Sequence, residues 1–278
     1  MNKHCFCIMA HNNLTQLNKL CQTIDSPFVD IVIHLDKKYG DFKKSEVTNG
    51  IVNSKVYFSE RIDVRWGGYS QILCEQNLFL KAKENGESYE YYHLISGDTM
   101  LLKTVEEIIM HCGKCFPKQF VDFDDEIVNP LFLNRIKYYY PTDKLTDRKL
   151  ATFLCEKVIP FFSKLFGVDR SRENICYQKG SNWVSITDDA VRHLLKSETM
   201  ELTRKIFEKG FLVDELYVQT ILKTKKSFEF SCYLWEIDWT RGKPYQFQKN
   251  DVEQLKNSDK FFVRKVSTEL FDEYWNRK

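Results

Sequence analysis

The chain opens on alternating strand and helix patterns. Residues 4–10 (HCFCIMA) form a nearly unbroken apolar run of strand length. Leu14, Leu17, Cys21 and Ile24 then recur at helical spacing behind Asn12 or Asn13, either of which suits an N-cap, and Pro27 closes the helix. A second strand, DIVIHLD at 30–36, is rich in β-branched residues and ends on a carboxylate, and Lys55–Phe58 supplies a short third. Residues 70–85 carry an amphipathic helix, YEYYHLISGD at 89–98 runs from strand into loop, and a further helix spans 104–111. This alternation predicts a parallel sheet covered by helices, with ligands at the carboxyl edge of its strands.

The middle, 117–178, is less regular and strongly aromatic (FVDFDDE, RIKYYYP, VIPFFSKLFGV). It suits a lid or acceptor-binding insertion, or an irregular part of the core. Beyond it, GSNWVSIT at 180–187 predicts a strand, and helices are expected at 188–196, at 200–209 and from 214 (DELYVQTILK). Residues 228–266 read as short strands and loops, and 267–277 as a last helix. No repeat, linker or low-complexity tract interrupts the pattern, so one domain over 1–278 is the economical expectation.

Composition narrows the function classes. Forty-one basic and thirty-nine acidic residues leave a net charge of +2, so no whole-molecule field points to nucleic acid or membrane. Any anion site must be local. Aromatics make up 14% of the chain, which suits stacking on sugars or bases as well as a heavy core. The N-terminal apolar run is too short for a signal peptide, and no window reaches the length of a membrane span, so a cytoplasmic location is expected. Nine scattered cysteines predict reduced thiols rather than a disulfide framework; Cys112 and Cys115 lack a second Cys or His pair at zinc spacing.

No dinucleotide fingerprint, P-loop or Gly-x-Ser-x-Gly elbow is present, which removes the main support for dehydrogenase, nucleotide triphosphatase and α/β-hydrolase readings. Asp122 and Asp124 spell Asp-x-Asp but lie beyond the strand end where a nucleotide edge is expected, and a solvated acidic loop explains them as well. Asp36 closes the second strand where a carboxylate can meet a base or ribose, or simply cap the strand. Gly97 and Asp98 form a turn after a strand, and Trp66 precedes two glycines that either approach a ligand or make a turn. Asp214 and Glu215 open a helix, where the macrodipole favours acids, but an inverting sugar transfer also needs such a carboxylate as base. Arg241 with Lys243, and Arg264 with Lys265, are basic clusters beside aromatic stretches, able to neutralise a diphosphate where no metal does so.

Taken in order, AHNN at 10–13, IHLDKK at 33–38, VRWGGYSQI at 64–72, YYHLISGDTMLLK at 91–103, GSNWVSIT, DELYVQTIL at 214–222 and FFVRK at 261–265 resemble the core-2/I-branching β-1,6-N-acetylglucosaminyltransferases and peptide O-xylosyltransferases. The resemblance spans nearly the whole chain. It implies an α/β, GT-A-like fold with a mostly parallel central sheet and helices on both faces. Residues 1–116 would form the nucleotide-binding part and 117–278 the acceptor-binding and catalytic part. It further implies inverting, metal-independent transfer of a sugar, GlcNAc or xylose, from a UDP-sugar, with no other cofactor. Glu215 falls on the family's base, and Lys265, with Arg241 or Lys243, on its basic pair. His11, His34, Asp36, Trp66 and Asp98 join the donor side; Arg135, Trp183 and Trp239 join the acceptor side.

Compared with animal members, the chain shows no anchor, stem or disulfide set. That implies a bacterial-type enzyme acting in the cytoplasm, or peripherally at the inner face of the membrane, on a soluble or lipid-linked glycan in surface polysaccharide or glycan synthesis. Two other readings stay open from sequence: a non-catalytic carbohydrate-binding protein on a transferase-like fold, and a metal-dependent transferase using Asp98 or Asp122 with Asp124.

Overall fold

The computed structural model describes residues 1–124, 130–145, 148–242 and 244–276. The strands are β1 (His4–Ala10), β2 (Val29–Leu35), β3 (Lys55–Phe58), β4 (Tyr91–Ser96), β5 (Met100–Leu101), β6 (Gln119–Phe120), β7 (Val184–Thr187), β8 (Phe230–Ser231), β9 (Trp235–Glu236) and β10 (Phe262–Val263). The helices are α1 (Leu14–Ile24), α2 (Ser45–Thr48), α3 (Ser70–Glu84), α4 (Val105–Cys115), α5 (Pro130–Lys137), α6 (Arg148–Phe153), α7 (Ile159–Leu165), α8 (Asp188–Leu195), α9 (Ser197–Phe207), α10 (Asp214–Lys223), α11 (Val252–Lys256) and α12 (Thr268–Asn276).

Caps that are visible in the sequence set the early helices. Asn13, at φ 48°, accepts from the Gln16 amide to start α1, and Thr104 with Glu107 forms a capping box on α4. The strand expected to reach residue 36 ends at Leu35. Asp36 has turned out to cap a short 3₁₀ turn, Lys37–Tyr39, accepting from the Lys38 amide at 2.9 Å.

A seven-stranded sheet has the order β3-β2-β1-β4-β7-β6-β8. β3, β2, β1 and β4 are mutually parallel, β7 runs antiparallel to both β4 and β6, and β8 is parallel to β6. The sheet is therefore mixed and mostly parallel. The step from β1 to β2 goes one way and the step from β3 to β4 returns past β1, so right-handed connections put α1 and α3 on opposite faces. α3 packs on β1 and β2, while α1 meets β5 in a second sheet of order β5-β10-β9. Phe262 of β10 packs edge-on to Phe6 of β1, joining the two sheets.

The middle segment is more ordered than its irregular sequence suggests. β6 comes from it and enters the central sheet, because Gln119 and Phe120 pair with Phe230 and Ser231, more than a hundred residues away. No described helix is long and apolar enough to cross a membrane.

Candidate active site

β1 and β4 are neighbours whose connections leave in opposite directions, which makes the crevice outside their carboxyl ends a ligand position. His11 follows β1, Asp36 follows β2 and Asp98 follows β4. A fourth segment reaches the same place. β10 pairs antiparallel with β5, two residues beyond Asp98, so Arg264 and Lys265 come alongside, and the Val266 amide donates to the Asp98 carbonyl at 3.2 Å. Arg264 Nη2 lies 3.6 Å from Asp98 Oδ1, and Lys265 Nζ lies 3.4 Å from Oδ2. Arg264 Nε also donates to Ser96 Oγ at 3.1 Å, and Ser96 donates to Asp98.

These groups act on one another electrically. Burial raises the Asp98 pKa, but Arg264, Lys265, the Ser96 hydrogen bond and His11 outweigh it and hold the carboxyl below its ordinary value. His11 is pushed down, chiefly by lost hydration; Asp98 and Asp36 pull it up, while Lys265 and Arg264 push it down. Asp98 thus keeps its charge and pre-positions two cations at the sheet edge.

Other donor-side candidates have different surroundings. His34 is buried, its Nε2 accepts from the Ile62 amide at 3.0 Å, and burial lowers its pKa to about 4. The ring tethers the 59–64 loop to β2. Trp66 stands edge-on to Phe211, with the Arg148 guanidinium 4.2 Å from its ring centre, which puts it beside the Phe211–Leu212 segment rather than against the Asp98 cluster. Arg241 is held by Asp238 at 2.5 Å and Asp251 at 2.8 Å and lies over Tyr245, so two carboxylates already balance its charge. Lys243 lies outside the described residues. Trp239 is largely exposed on the same loop. Trp183, expected on the acceptor side, is buried beneath Arg264, its ring centre 4.5 Å from the guanidinium.

The adjacent acids of α10 are separated by their partners. Asp214 is 6% exposed and accepts from Gln71 of α3 at 2.8 Å, while its Oδ1 has no hydrogen-bond partner among the described residues. Burial, then the Glu215 charge, raises its pKa to about 7. Glu215 is 28% exposed at the side chain and receives a 2.6 Å bond from Arg135 of α5. Arg135, Leu212 and Phe211 line a cavity of about 450 Å³ shared with Tyr140, Tyr177 and Lys179, so the aromatic segment 117–178 supplies much of its wall.

One short strap links the two ends of the site. The Gly180 amide donates to the Glu215 carbonyl at 3.0 Å, and Trp183, three residues on, supports Arg264. Three residues span at most about 10 Å. A Cβ on Gly180 would stand 2.1 Å from the Asp122 carbonyl oxygen, so only glycine fits. Asp122 accepts from the Ser181 amide at 3.0 Å and Asp124 pairs with Lys179, so both carboxylates of the Asp-x-Asp fasten this strap.

Two clusters were not read from sequence. Glu75, on the buried face of α3, has the Asn182 side chain as its polar neighbour; burial and then Asp214 raise its pKa well above the ordinary value, and Asn182 offsets this only in part. Its place in the row Ile72, Glu75, Phe79, Ala82 is a core position at helical spacing, the signal that could have found it. The second cluster supplies the partners that Cys112 lacks in sequence: ligand atoms of His4, His93 and Cys112 lie within 4.8 Å of one another. The facing nitrogens of His4 and His93 are spent on each other at 2.9 Å, and the second nitrogen of His93 on Ser185 at 2.6 Å.

Among solved structures, the chain is similar to mouse xyloside xylosyltransferase 1 in its apo form, with 12% identity, 95% of this chain and 97% of that one covered, and a TM-score of 0.43. It is also similar to the apo glycosyltransferase GlyE of Streptococcus pneumoniae TIGR4, with 8% identity, 99% of this chain and 60% of that one covered, and a TM-score of 0.39. At these scores neither bears on the site. No curated protein sequence matches the chain. Residues 5–273, however, match the family model of the Core-2/I-Branching enzyme, and the chain belongs to that family of glycosyltransferases.

Proposed function

We propose that this glycosyltransferase carries out inverting transfer from a UDP-sugar to a carbohydrate hydroxyl, with Glu215 as the general base. The observation that carries the reading is the Glu215 carboxylate, partly exposed and held by Arg135, which itself lines the 450 Å³ cavity. In the proposed step the acceptor hydroxyl gives its proton to Glu215 as its oxygen bonds to C1 of the donor sugar. The bond from C1 to the β-phosphate oxygen breaks from the opposite face, and its electron pair leaves with UDP.

The leaving diphosphate gains charge, and preorganised cations stabilise such charge most where they need not move. Arg264 and Lys265, already held by Asp98, Ser96 and Trp183, suit that role. The sugar is GlcNAc or xylose and the product a surface or cellular glycan in this reading. Titration of UDP into the protein in EDTA, followed by turnover of UDP-GlcNAc and UDP-xylose with glycan acceptors, tests it. Binding that requires added metal, or turnover unchanged in Glu215→Gln, counts decisively against it.

A further inference from the structure

The helical stretch 148–166 of the middle segment has one face accounted for and another that is not. Cys155 and Ile159, four residues apart, pack with Tyr138, Tyr140 and Phe211 in a small core separate from the main one. Yet Phe153, Phe161, Phe162, Leu165 and Phe166 are between 51% and 75% exposed. Phe161 and Leu165, and Phe162 and Phe166, are four apart and lie along the same side of a turn, and the Phe161 and Phe162 rings touch at 5.4 Å between centres. Exposed aromatic and aliphatic side chains grouped this densely mark an interaction surface.

Charge identifies the occupant. Within 148–166 the charged residues are Arg148, Lys149, Lys157 and Lys164 against the lone acid Glu156. A short helix with large apolar side chains and a basic rim has the composition of segments that lie in a lipid headgroup layer. A chain of net charge +2 with this local excess is attracted by an anionic surface at this stretch rather than as a whole. We propose that residues 148–166 dock the protein onto an anionic phospholipid surface, with the four aromatic rings and Leu165 inserted and the lysines at headgroup level.

The same stretch supplies Cys155, Glu156, Lys157 and Pro160 to the wall of the cavity that Arg135 lines. Docking therefore presents that cavity to the membrane surface, where a glycan on a lipid carrier is the acceptor class that reaches it. This last step rests on the transferase reading; the docking itself does not.

Co-sedimentation of the full chain with phosphatidylglycerol-containing vesicles and with phosphatidylcholine vesicles tests the proposal. Binding to the anionic vesicles is expected, weakening as salt is raised, and the double variant Phe161→Ser, Phe162→Ser is expected to lose about tenfold or more of it. Lys157→Glu with Lys164→Glu should lower binding to the anionic vesicles specifically. Both rings are exposed, so the serine variant should keep the wild-type unfolding midpoint. Glu215→Gln should bind vesicles as wild type does, which separates a failure of docking from a failure of the catalytic reading. Absence of wild-type binding, or equal binding by the serine variant, overturns the proposal. So does sedimentation velocity showing a dimer that the serine variant dissociates, because the face would then be covered by a second copy.

Discussion

Arg135 donates a 2.6 Å charge-assisted hydrogen bond from Nη1 to Oε2 of Glu215, joining α5 of the middle segment to the first turn of α10. The pair is partly exposed, and the proposed transfer would bring an acceptor hydroxyl to the carboxylate's remaining lone pairs. Orientation by a guanidinium is what distinguishes this acid from its neighbour Asp214, which is bound inward to Gln71.

Glu215→Gln keeps the shape of this contact and removes the proton acceptor of the proposed transfer. Turnover should fall by about 10²- to 10⁴-fold while UDP affinity, measured by calorimetry, stays within error of wild type. Arg135→Lys should retain more activity than Arg135→Ala, because it keeps a cation near Oε2.

Lys265→Ala and Arg264→Ala remove cations that Asp98 holds at the sheet edge. Each should weaken UDP binding in EDTA by roughly 1.5–3 kcal/mol, the range for a hydrogen bond to a charged group. Arg241→Ala is expected to differ. Its guanidinium is committed to Asp238 and Asp251, so thermal stability should drop while UDP affinity holds. Equal losses of UDP affinity in all three variants would place Arg241 at the diphosphate.

Asp214 gives a pH dependence with a definite sign. In the folded chain its carboxyl holds its proton up to a pKa of about 7, raised from an unfolded value of 3.8. Between those values the folded state binds more protons than the unfolded one. The stabilising contribution is complete below about pH 4 and is lost as pH rises through about 7. Urea unfolding at pH 5 and pH 8 should show a decline that Asp214→Asn reduces by roughly 1–3 kcal/mol, leaving the part that Glu75, also raised, contributes. Parallel behaviour of the two proteins would mean that Asp214 does not titrate in this window.

Gly180→Ala introduces a Cβ at 2.1 Å from the Asp122 carbonyl oxygen, a backbone atom that cannot rotate out of the way. A loss of roughly 1–3 kcal/mol in chemical denaturation is expected, with turnover reduced further because the Gly180 amide braces Glu215. Stability equal to wild type would show that the strap can shift.

By itself, the sequence determined the local elements and the edge they form. The runs at 4–10 and 30–36, the helical row from Leu14 to Ile24, and the caps at Asn13 and Thr104 act over a few residues, where periodicity and side-chain hydrogen bonding are readable. They place His11, Asp36 and Asp98 at the carboxyl ends of adjacent strands without knowledge of anything distant. Tertiary structure decided which cations meet Asp98, because β10 pairs with β5 across more than 150 residues of chain and brings Arg264 alongside Lys265, while Arg241 spends its charge on Asp238 and Asp251. It also gave Asp214 and Glu215 different surroundings. Both open one helix with the same local chemistry; the difference is that Gln71 faces one and Arg135 the other, and no local pattern encodes a contact made across such separations.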